Sequence, residues 1–265
     1  MVRQQVKTLS VKAPRGQSLH PKSDSGLNPE SDFVVFGVDE VGAGCLAGPV
    51  VASCFAYRTT SPWCAQEFLP VRVFDSKKLS EERRREASDY LTARTPEDLC
   101  AHTIVEVCNR RIDEINILWA RMEAMWNAFL EAHARMSEIL GTDKFLWRVF
   151  VDGNRLPREA DTWHTHASFD CAEFRQRMPT LPFKTVIKGD SVVFAIAAAS
   201  IIAKEYRDRL MAELGEVPAY APYKWAQNVG YPTPEHKAAL LAVGYSDLHR
   251  MSFTPNMTAF GDSEV

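Results

Sequence analysis

The sequence predicts an α/β fold, in which a mixed sheet is flanked by helices and followed by a helical C-terminal appendage. Short apolar runs bounded by glycine or acidic residues alternate with longer segments of helical periodicity. Hydrophobic residues make up 46% of the 265 residues, which is enough to bury a full core. No internal repeat occurs. No apolar run approaches the roughly 20 residues that a membrane-spanning helix needs, so we expect no membrane association.

The chain divides into a long tail, one folded domain and a short second tail. Residues 1–31 lack periodicity and are rich in Ser, Pro, Gly and Lys, a composition that cannot bury enough apolar surface to fold. We therefore expect a disordered tail over 1–31, a folded domain over 32–258 that includes the helical C-terminal part, and a flexible tail over 259–265.

Net charge and cysteine content bear on nucleic-acid binding, on metal or redox sites and on cellular location. The net charge of −3 gives no global basic signal, so any binding of nucleic acid depends on a local patch. The six cysteines contain no Cys-x-x-Cys pair, which argues against a zinc site or a redox motif. The N-terminus lacks the apolar core of a secretory signal. We expect a cytoplasmic protein with reduced cysteines.

Each predicted element rests on a local pattern. Apolar or alternating runs indicate strands at 33–36, 50–57, 102–107, 147–151 and 184–189. Ser80 followed by two glutamates is typical of a helix start. Helical spacing predicts further helices over 110–140, 192–214 and 234–241. The second of these three is small and apolar over 195–203, which lets it pack closely on the sheet.

Carboxylates follow three of the predicted strands. Asp39 and Glu40 come after the first strand, Asp152 after the fourth and Asp190 after the fifth. Because strands of one sheet can bring their ends together, these four side chains form the candidate catalytic site. Successive strand side chains point to opposite faces, so Asp39 and Glu40 share one site only if the backbone bends between them. The glycine-rich turn at 42–44 permits such a bend.

The make-up of this acidic group predicts its cofactor. Four carboxylates without a histidine or cysteine partner favour a hard cation, Mg²⁺ or Mn²⁺. Two such ions about 4 Å apart can activate a water and stabilise the leaving oxygen in phosphodiester cleavage. A carboxylate pair for glycoside hydrolysis is the chemical alternative, but it leaves two acids and the glycine turn without a role. His164 and His166 lack a third ligand and do not indicate a metal site.

Other polar residues suit a phosphate-bearing polymer. Lys77 and Lys78 offer two ammonium groups beside a short loop, either for phosphate contact or as a solvated helix start. Tyr231 lies in a Gly-Tyr-Pro-Thr turn, where it can stack on a sugar, donate its hydroxyl, or simply pack as an ordinary tyrosine. No P-loop, nucleophile elbow or Rossmann glycine pattern is present.

The chain resembles the ribonuclease HII family. The resemblance is carried by segments that occur in the family's order and cover most of residues 36–255: GVDEVGAGCLAGPVVA (37–52), DSKKLS (75–80), VDGNRLP (151–157), KGDSVVFAIAAASIIAK with its RDRLM continuation (188–211), GYPTPEH (230–236) and HRMSF (249–253). It implies a ribonuclease H-like fold and a monomer. It also implies endonucleolytic cutting of RNA in RNA–DNA hybrids and at ribonucleotides embedded in DNA, leaving 3′-hydroxyl and 5′-phosphate ends.

The resemblance also assigns roles to residues. It implies a two-metal mechanism with the four acids at Asp39, Glu40, Asp152 and Asp190. It places the junction-sensing tyrosine at Tyr231 and the lysine-bearing loop at Lys77 and Lys78. The substrate-binding turn falls on Gly42, Ala43 and Gly44, whose backbone amides would hold phosphate and ribose oxygens.

The chain departs from the family pattern in ways that concern substrate preference. The family's turn is Gly-Arg-Gly, and Ala43 stands in place of the arginine. Val41 stands where the family usually has Ala and favours the sister family, ribonuclease HIII. Asp190, where that sister family has Glu, argues against it, and we expect no N-terminal platform domain within the 31 residues of the tail. Residues 158–183 form a longer connection than is usual. Two alternatives therefore stay open: a hybrid-only nuclease with weak single-ribonucleotide activity, and a hybrid-binding protein that does not cleave.

Overall fold

The computed structural model describes residues 33–59, 79–93, 100–156 and 183–253. In these ranges the chain forms a five-stranded mixed sheet of order β3-β2-β1-β4-β5. The strands are β1 (Phe33–Val41), β2 (Val50–Thr59), β3 (Cys100–Val107), β4 (Leu146–Asp152) and β5 (Phe183–Val186). β2 pairs antiparallel with β1 and with β3, whereas β1–β4 and β4–β5 are parallel. The predicted mixed α/β class is confirmed.

Helices cover both faces of this sheet. Their bounds are α1 (Glu81–Thr92), α2 (Asn109–Leu140), α3 (Phe194–Gly215), α4 (Trp225–Asn228) and α5 (Pro234–Val243). Ser80 caps α1 as predicted, and its Oγ accepts the N–H of Arg83 at 3.3 Å. In the ranges that the structure covers, no helix is both long enough and apolar enough to cross a membrane.

Two predicted elements differ in detail. The long helix α2 breaks at Asn116, whose backbone has φ 64° and ψ 165°. The Asn116 carboxamide oxygen accepts the N–H of Leu118 at 2.9 Å and thereby caps the second half of the helix. The last strand ends at Val186 rather than near residue 189, because Lys188 takes a left-handed conformation and a 3₁₀ turn, Gly189–Ser191, follows.

The core lies on both sides of β1 because its side chains alternate between faces. Phe36 faces α2, where it meets Phe129 edge-on with 5.3 Å between the ring centroids. Val35 faces α3 and packs with Ala195. The small residues of α3 let the helix come so close that a Cβ at Gly37 would lie 2.1 Å from the Ala195 carbonyl carbon. The predicted close packing of this helix is confirmed.

The C-terminal appendage is helical, as predicted, and has its own aromatic core. Tyr223 and Trp225 stack with 5.3 Å between their ring centroids. The indole N–H of Trp225 donates to His236 Nε2 at 3.3 Å, and His236 Nε2 lies 3.1 Å from His249 Nε2. His236 Nδ1 in turn lies 2.9 Å from the carbonyl oxygen of Tyr231. The histidine pair therefore ties the Tyr231 turn to the end of the described chain.

Several predictions fall outside the described residues. They are the two tails at 1–31 and 259–265, the 158–182 connection with His164 and His166, and the lysine loop with Lys77 and Lys78.

Candidate active site

The first two acids lie within β1 rather than after it. β1 stays paired with β2 through Val41, with Asp39 opposite Ser53 and Glu40 opposite Ala52. This pairing keeps the backbone extended, so the bend expected between the two acids does not occur and that expectation is wrong. The chain turns only at Gly42, where φ is +87°. Asp39 and Glu40 consequently point to opposite faces of the sheet.

Asp39 faces α3 and is almost fully buried, with 7% of its surface exposed. Its carboxylate is hydrogen-bonded to the hydroxyl of Ser200, and its Oδ1 accepts the N–H of Glu40 at 2.8 Å. Burial raises the pKa of Asp39 well above the usual value, and the negative charges of Glu40 and Asp152 raise this pKa further. The site thus holds negative charge that favours a proton or a cation.

Asp152 lies beside Asp39. The parallel β1–β4 ladder ends at the pair Val38 and Val151. The next residues, Asp39 of β1 and Asp152 of β4, therefore lie on neighbouring strands just beyond this last pair. Oδ1 of Asp152 accepts the N–H of Gly189 at 2.7 Å. A Cβ at Gly189 would lie 3.2 Å from that same oxygen, so glycine keeps the amide accessible.

Asp190 is brought to the same edge by this hydrogen bond. It directly follows Gly189 in the 3₁₀ turn and is buried, with 8% of its surface exposed. The hydroxyl of Ser191 lies 3.4 Å from its Oδ1. The structure therefore groups three of the predicted acids, Asp39, Asp152 and Asp190, at the adjoining ends of β1, β4 and β5.

Glu40 is oriented differently from these three acids. It faces α2, where its Oε1 lies 2.5 Å from Nη2 of Arg121. In the described ranges, no three His, Cys, Asp or Glu side chains are placed together so as to hold a metal ion. The oxygen donors still suit a hard cation. Burial is the main reason that the pKa of Asp39 is raised, and the charges of Glu40 and Asp152, which raise it further, are ones that such a cation would offset. In chemical type the acids fit a divalent metal.

The glycine turn and Tyr231 form one surface. The N–H of Leu46 donates to the carbonyl oxygen of Gly230 at 2.8 Å, and the side chains of Cys45 and Tyr231 are hydrogen-bonded. A Cβ at Gly44 would lie 3.8 Å from the Tyr231 ring. Tyr231 remains 38% exposed. These candidate substrate contacts therefore lie together next to the end of β1.

Two buried arginines that the sequence did not indicate hold this turn. Arg207 of α3 donates to the carbonyl oxygens of Pro49, Val229 and Ala47 at 3.0, 2.8 and 3.1 Å. A Cβ at Gly42 would lie 2.1 Å from Nε of Arg207. The available signal was that Arg207 follows Ala203 by one helical turn and so continues the apolar face of α3.

The second arginine, Arg250, donates to the carbonyl oxygens of Gly48 and Ala43 at 3.0 Å each. Burial lowers the pKa of Arg250 to about 10, which leaves it charged at neutral pH. Together the two arginines bind carbonyl groups in the turn and in the residues that follow it, over 43–49. Ser200 and Arg121 are further site residues that no local pattern revealed.

The fold and the acidic sheet edge define the class, which is that of ribonuclease H-like proteins. The structure is similar to that of a mutant protein of Bst-RNase HIII, with a TM-score of 0.59 and 16% identity, covering 96% of this chain and 78% of that one. It is also similar to the RNase HII of a PCNA:RNase HII complex from Archaeoglobus fulgidus. That match has a TM-score of 0.52 and 24% identity, covering 84% of this chain and 96% of that one. These likenesses establish the fold.

Sequence similarity establishes the family. The Ribonuclease HII family model matches residues 36–256. A Ribonuclease HII of Rhizorhabdus wittichii is 40% identical over 226 residues, which are 83% of this chain and 87% of that protein. A Ribonuclease HII of Paracoccus denitrificans is 37% identical over 232 residues, which are 88% of this chain and 90% of that protein. The chain belongs to the Ribonuclease HII family.

Proposed function

We propose that this chain cleaves the RNA strand of RNA–DNA hybrids and also cuts at ribonucleotides embedded in DNA, leaving 3′-hydroxyl and 5′-phosphate ends. Family membership carries the general activity, that of a ribonuclease H acting as an endonuclease on RNA–DNA hybrids. The finer proposal rests chiefly on one observation. Asp39 and Asp152 lie side by side at an edge that also carries the glycine turn and Tyr231.

The proposed cofactor is Mg²⁺ or Mn²⁺. Asp39, Asp152 and Asp190 would hold the metal, since they offer only oxygen donors. Glu40 is the fourth proposed ligand, but it faces α2 and is paired with Arg121, so it would join the other acids only after leaving that ion pair. When bound, the metal supplies an activated water and stabilisation of charge on the leaving oxygen. A structurally similar RNase HIII, 16% identical, was crystallised in complex with Mn²⁺. In this chain, burial keeps Asp39 and Asp190 away from bulk water, and the amide of Gly189 holds the orientation of Asp152.

The proposed substrate contacts lie beside the acids. The amides of Gly42, Ala43 and Gly44 would contact phosphate and ribose oxygens, and the 2′-hydroxyl would distinguish RNA from DNA. The exposed face of Tyr231 would stack on the sugar or base at the cleavage site. Lys77 and Lys78 belong to the same proposal as phosphate contacts, from sequence alone.

Neither alternative is favoured by the family relationship. The charges of Glu40 and Asp152 both raise the pKa of Asp39, which means that the three carboxylates repel one another at a cost in stability. A protein that only binds hybrids, without cleaving them, would gain nothing from this repulsion. A hybrid-only nuclease would lack a contact needed at a single ribonucleotide. That possibility concerns Ala43, where the family's turn has an arginine.

The test is cleavage of a labelled RNA–DNA hybrid by Asp39→Asn and Asp152→Asn, each with Mg²⁺ and with Mn²⁺. Each substitution removes a charge and keeps the shape, so we expect turnover to fall at least 100-fold while hybrid binding persists. The matched control is Asp143→Asn, which makes the same change at an exposed position and should cleave like wild type. Turnover of either site variant within a few-fold of wild type would contradict the proposed role of that residue.

A further inference from the structure

The ion pair between Glu40 and Arg121 is the feature of the site that the proposed function does not explain. Nη2 of Arg121 lies 2.5 Å from Oε1 of Glu40, and the Glu40 side chain is only 10% exposed. Arg121 comes from α2, on the face of the sheet away from Asp39. One of the four acids is therefore held by a cation supplied by the protein itself.

Arg121 is less firmly held than a neighbouring arginine of the same helix. Arg111 donates through three nitrogens to Glu114 and Glu123. By contrast, Nε of Arg121 is buried and makes no hydrogen bond to any described residue, and the side chain is 33% exposed. An incompletely bonded guanidinium at the edge of the solvent can leave Glu40 at a lower cost than a fully bonded one.

The negative charges at the site explain why a cation beside Glu40 would be stabilising. The charges of Asp152 and Glu40 both act on Asp39 and disfavour its ionised form. Such carboxylates repel one another until a cation offsets them. Among the described residues, Arg121 is in contact with one member of this acidic set, Glu40.

We propose that Arg121 is a resident cation at Glu40 in the metal-free protein, and that a divalent ion gains Glu40 as a ligand only when Arg121 releases it. Arg121 thereby stabilises the metal-free protein and weakens metal binding, so it acts as a positioning residue through Glu40. This inference rests on the proposed metal-dependent function.

The experiment measures Mn²⁺ binding to the full-length protein by isothermal titration calorimetry, without substrate. The variants are Arg121→Gln, which removes the charge, and Arg121→Lys, which keeps it. The control is Arg110→Gln at an exposed position of the same helix. We expect Arg121→Gln to bind Mn²⁺ about tenfold more tightly than wild type. Arg121→Lys and Arg110→Gln should stay within threefold of wild type.

Thermal unfolding gives a second readout that does not depend on catalysis. Without metal, Arg121→Gln should melt at a lower temperature than wild type, because the acids lose their cation. With saturating Mn²⁺ the two melting temperatures should converge, so the metal-induced rise is larger in the variant. If Arg121→Gln folds poorly, Arg121→Met keeps the apolar stem and makes the same comparison.

The outcomes separate this inference from the function on which it rests. Equal Mn²⁺ affinity in wild type and Arg121→Gln would refute competition by Arg121, and weaker binding in the variant would show that Arg121 instead prepares Glu40 for the metal. If neither protein binds Mn²⁺ at millimolar concentration, the proposed metal-dependent function itself is wrong.

Discussion

Replacing Gly37 by alanine tests whether the contact between β1 and α3 positions the acids. A Cβ at residue 37 would lie 2.1 Å from the carbonyl carbon of Ala195 and 2.3 Å from the backbone nitrogen of Ile196. Real Cβ atoms essentially never come within 3.0 Å of such atoms. Both obstacles are backbone, so relief requires α3 to move away from β1 by about 1 Å, beyond what side-chain rotation provides.

The expected cost follows from that displacement. Overpacking a well-packed core typically costs about 1–3 kcal/mol, and a clash with backbone belongs at the upper end, near 3 kcal/mol. The same movement draws Ser200 away from Asp39, whose carboxylate it binds. Gly37→Ala should therefore lower both stability and turnover, although residue 37 touches no substrate.

The assay is urea unfolding followed by hybrid cleavage at a temperature where each variant is folded. The matched control is Gly141→Ala, where an added Cβ meets nothing within 4 Å but φ is +66°. Its left-handed backbone predicts a loss of about 1–2 kcal/mol without loss of turnover. If Gly37→Ala proves no less stable than Gly141→Ala and equally active, close packing of α3 does not position Asp39.

Two further predictions concern substrate choice and acid stability. Ala43→Arg should raise the cleavage rate on a single embedded ribonucleotide about tenfold relative to the rate on a long RNA tract. The new arginine could add one charge-assisted contact to phosphate, worth about 1.5–3 kcal/mol. A single ribonucleotide offers only one cleavage register, so the added contact should matter most there. An unchanged ratio of the two rates would show that the turn amides and Tyr231 suffice. Burial lowers the pKa of His249 to about 4. The unfolded chain therefore binds more protons than the folded protein between pH 6.5 and 4, and the free energy of unfolding should fall as the pH is lowered across that interval. This residue contributes at most about 3 kcal/mol to the fall. Urea unfolding at pH 7 and pH 5 should show a smaller loss in His249→Asn than in wild type, and equal losses would exclude His249 as the titrating group.

Local patterns predicted the elements well because they depend on neighbouring residues. Ser80 caps α1 through its own side chain, and the small residues of α3 indicate close packing without further information. These features share a short range along the chain, so periodicity and capping rules suffice to find them. The four acids remain a prediction from the sequence as metal ligands.

The remaining features depend on contacts between distant residues. The expected bend after Asp39 failed because β2, a separate strand, holds β1 extended through Val41. No rule of spacing connects Arg121 to Glu40, which are 81 positions apart in the sequence. Arg207 likewise meets its carbonyl partners only after α3 has packed on the sheet. Such contacts depend on tertiary structure, so no pattern among neighbouring residues in the sequence predicts them.

The two buried arginines also bear on how the protein is made. Residues 43–49 leave the ribosome early, yet their carbonyl groups are bound by Arg207 and Arg250, which are synthesised much later. Until residue 250 emerges, the glycine turn lacks one of its two supports, even though β1 and β2 can already pair. A nascent chain therefore carries its acids long before it has the surface that would present a substrate to them. The support of the glycine turn is thus completed only once residue 250 has been made.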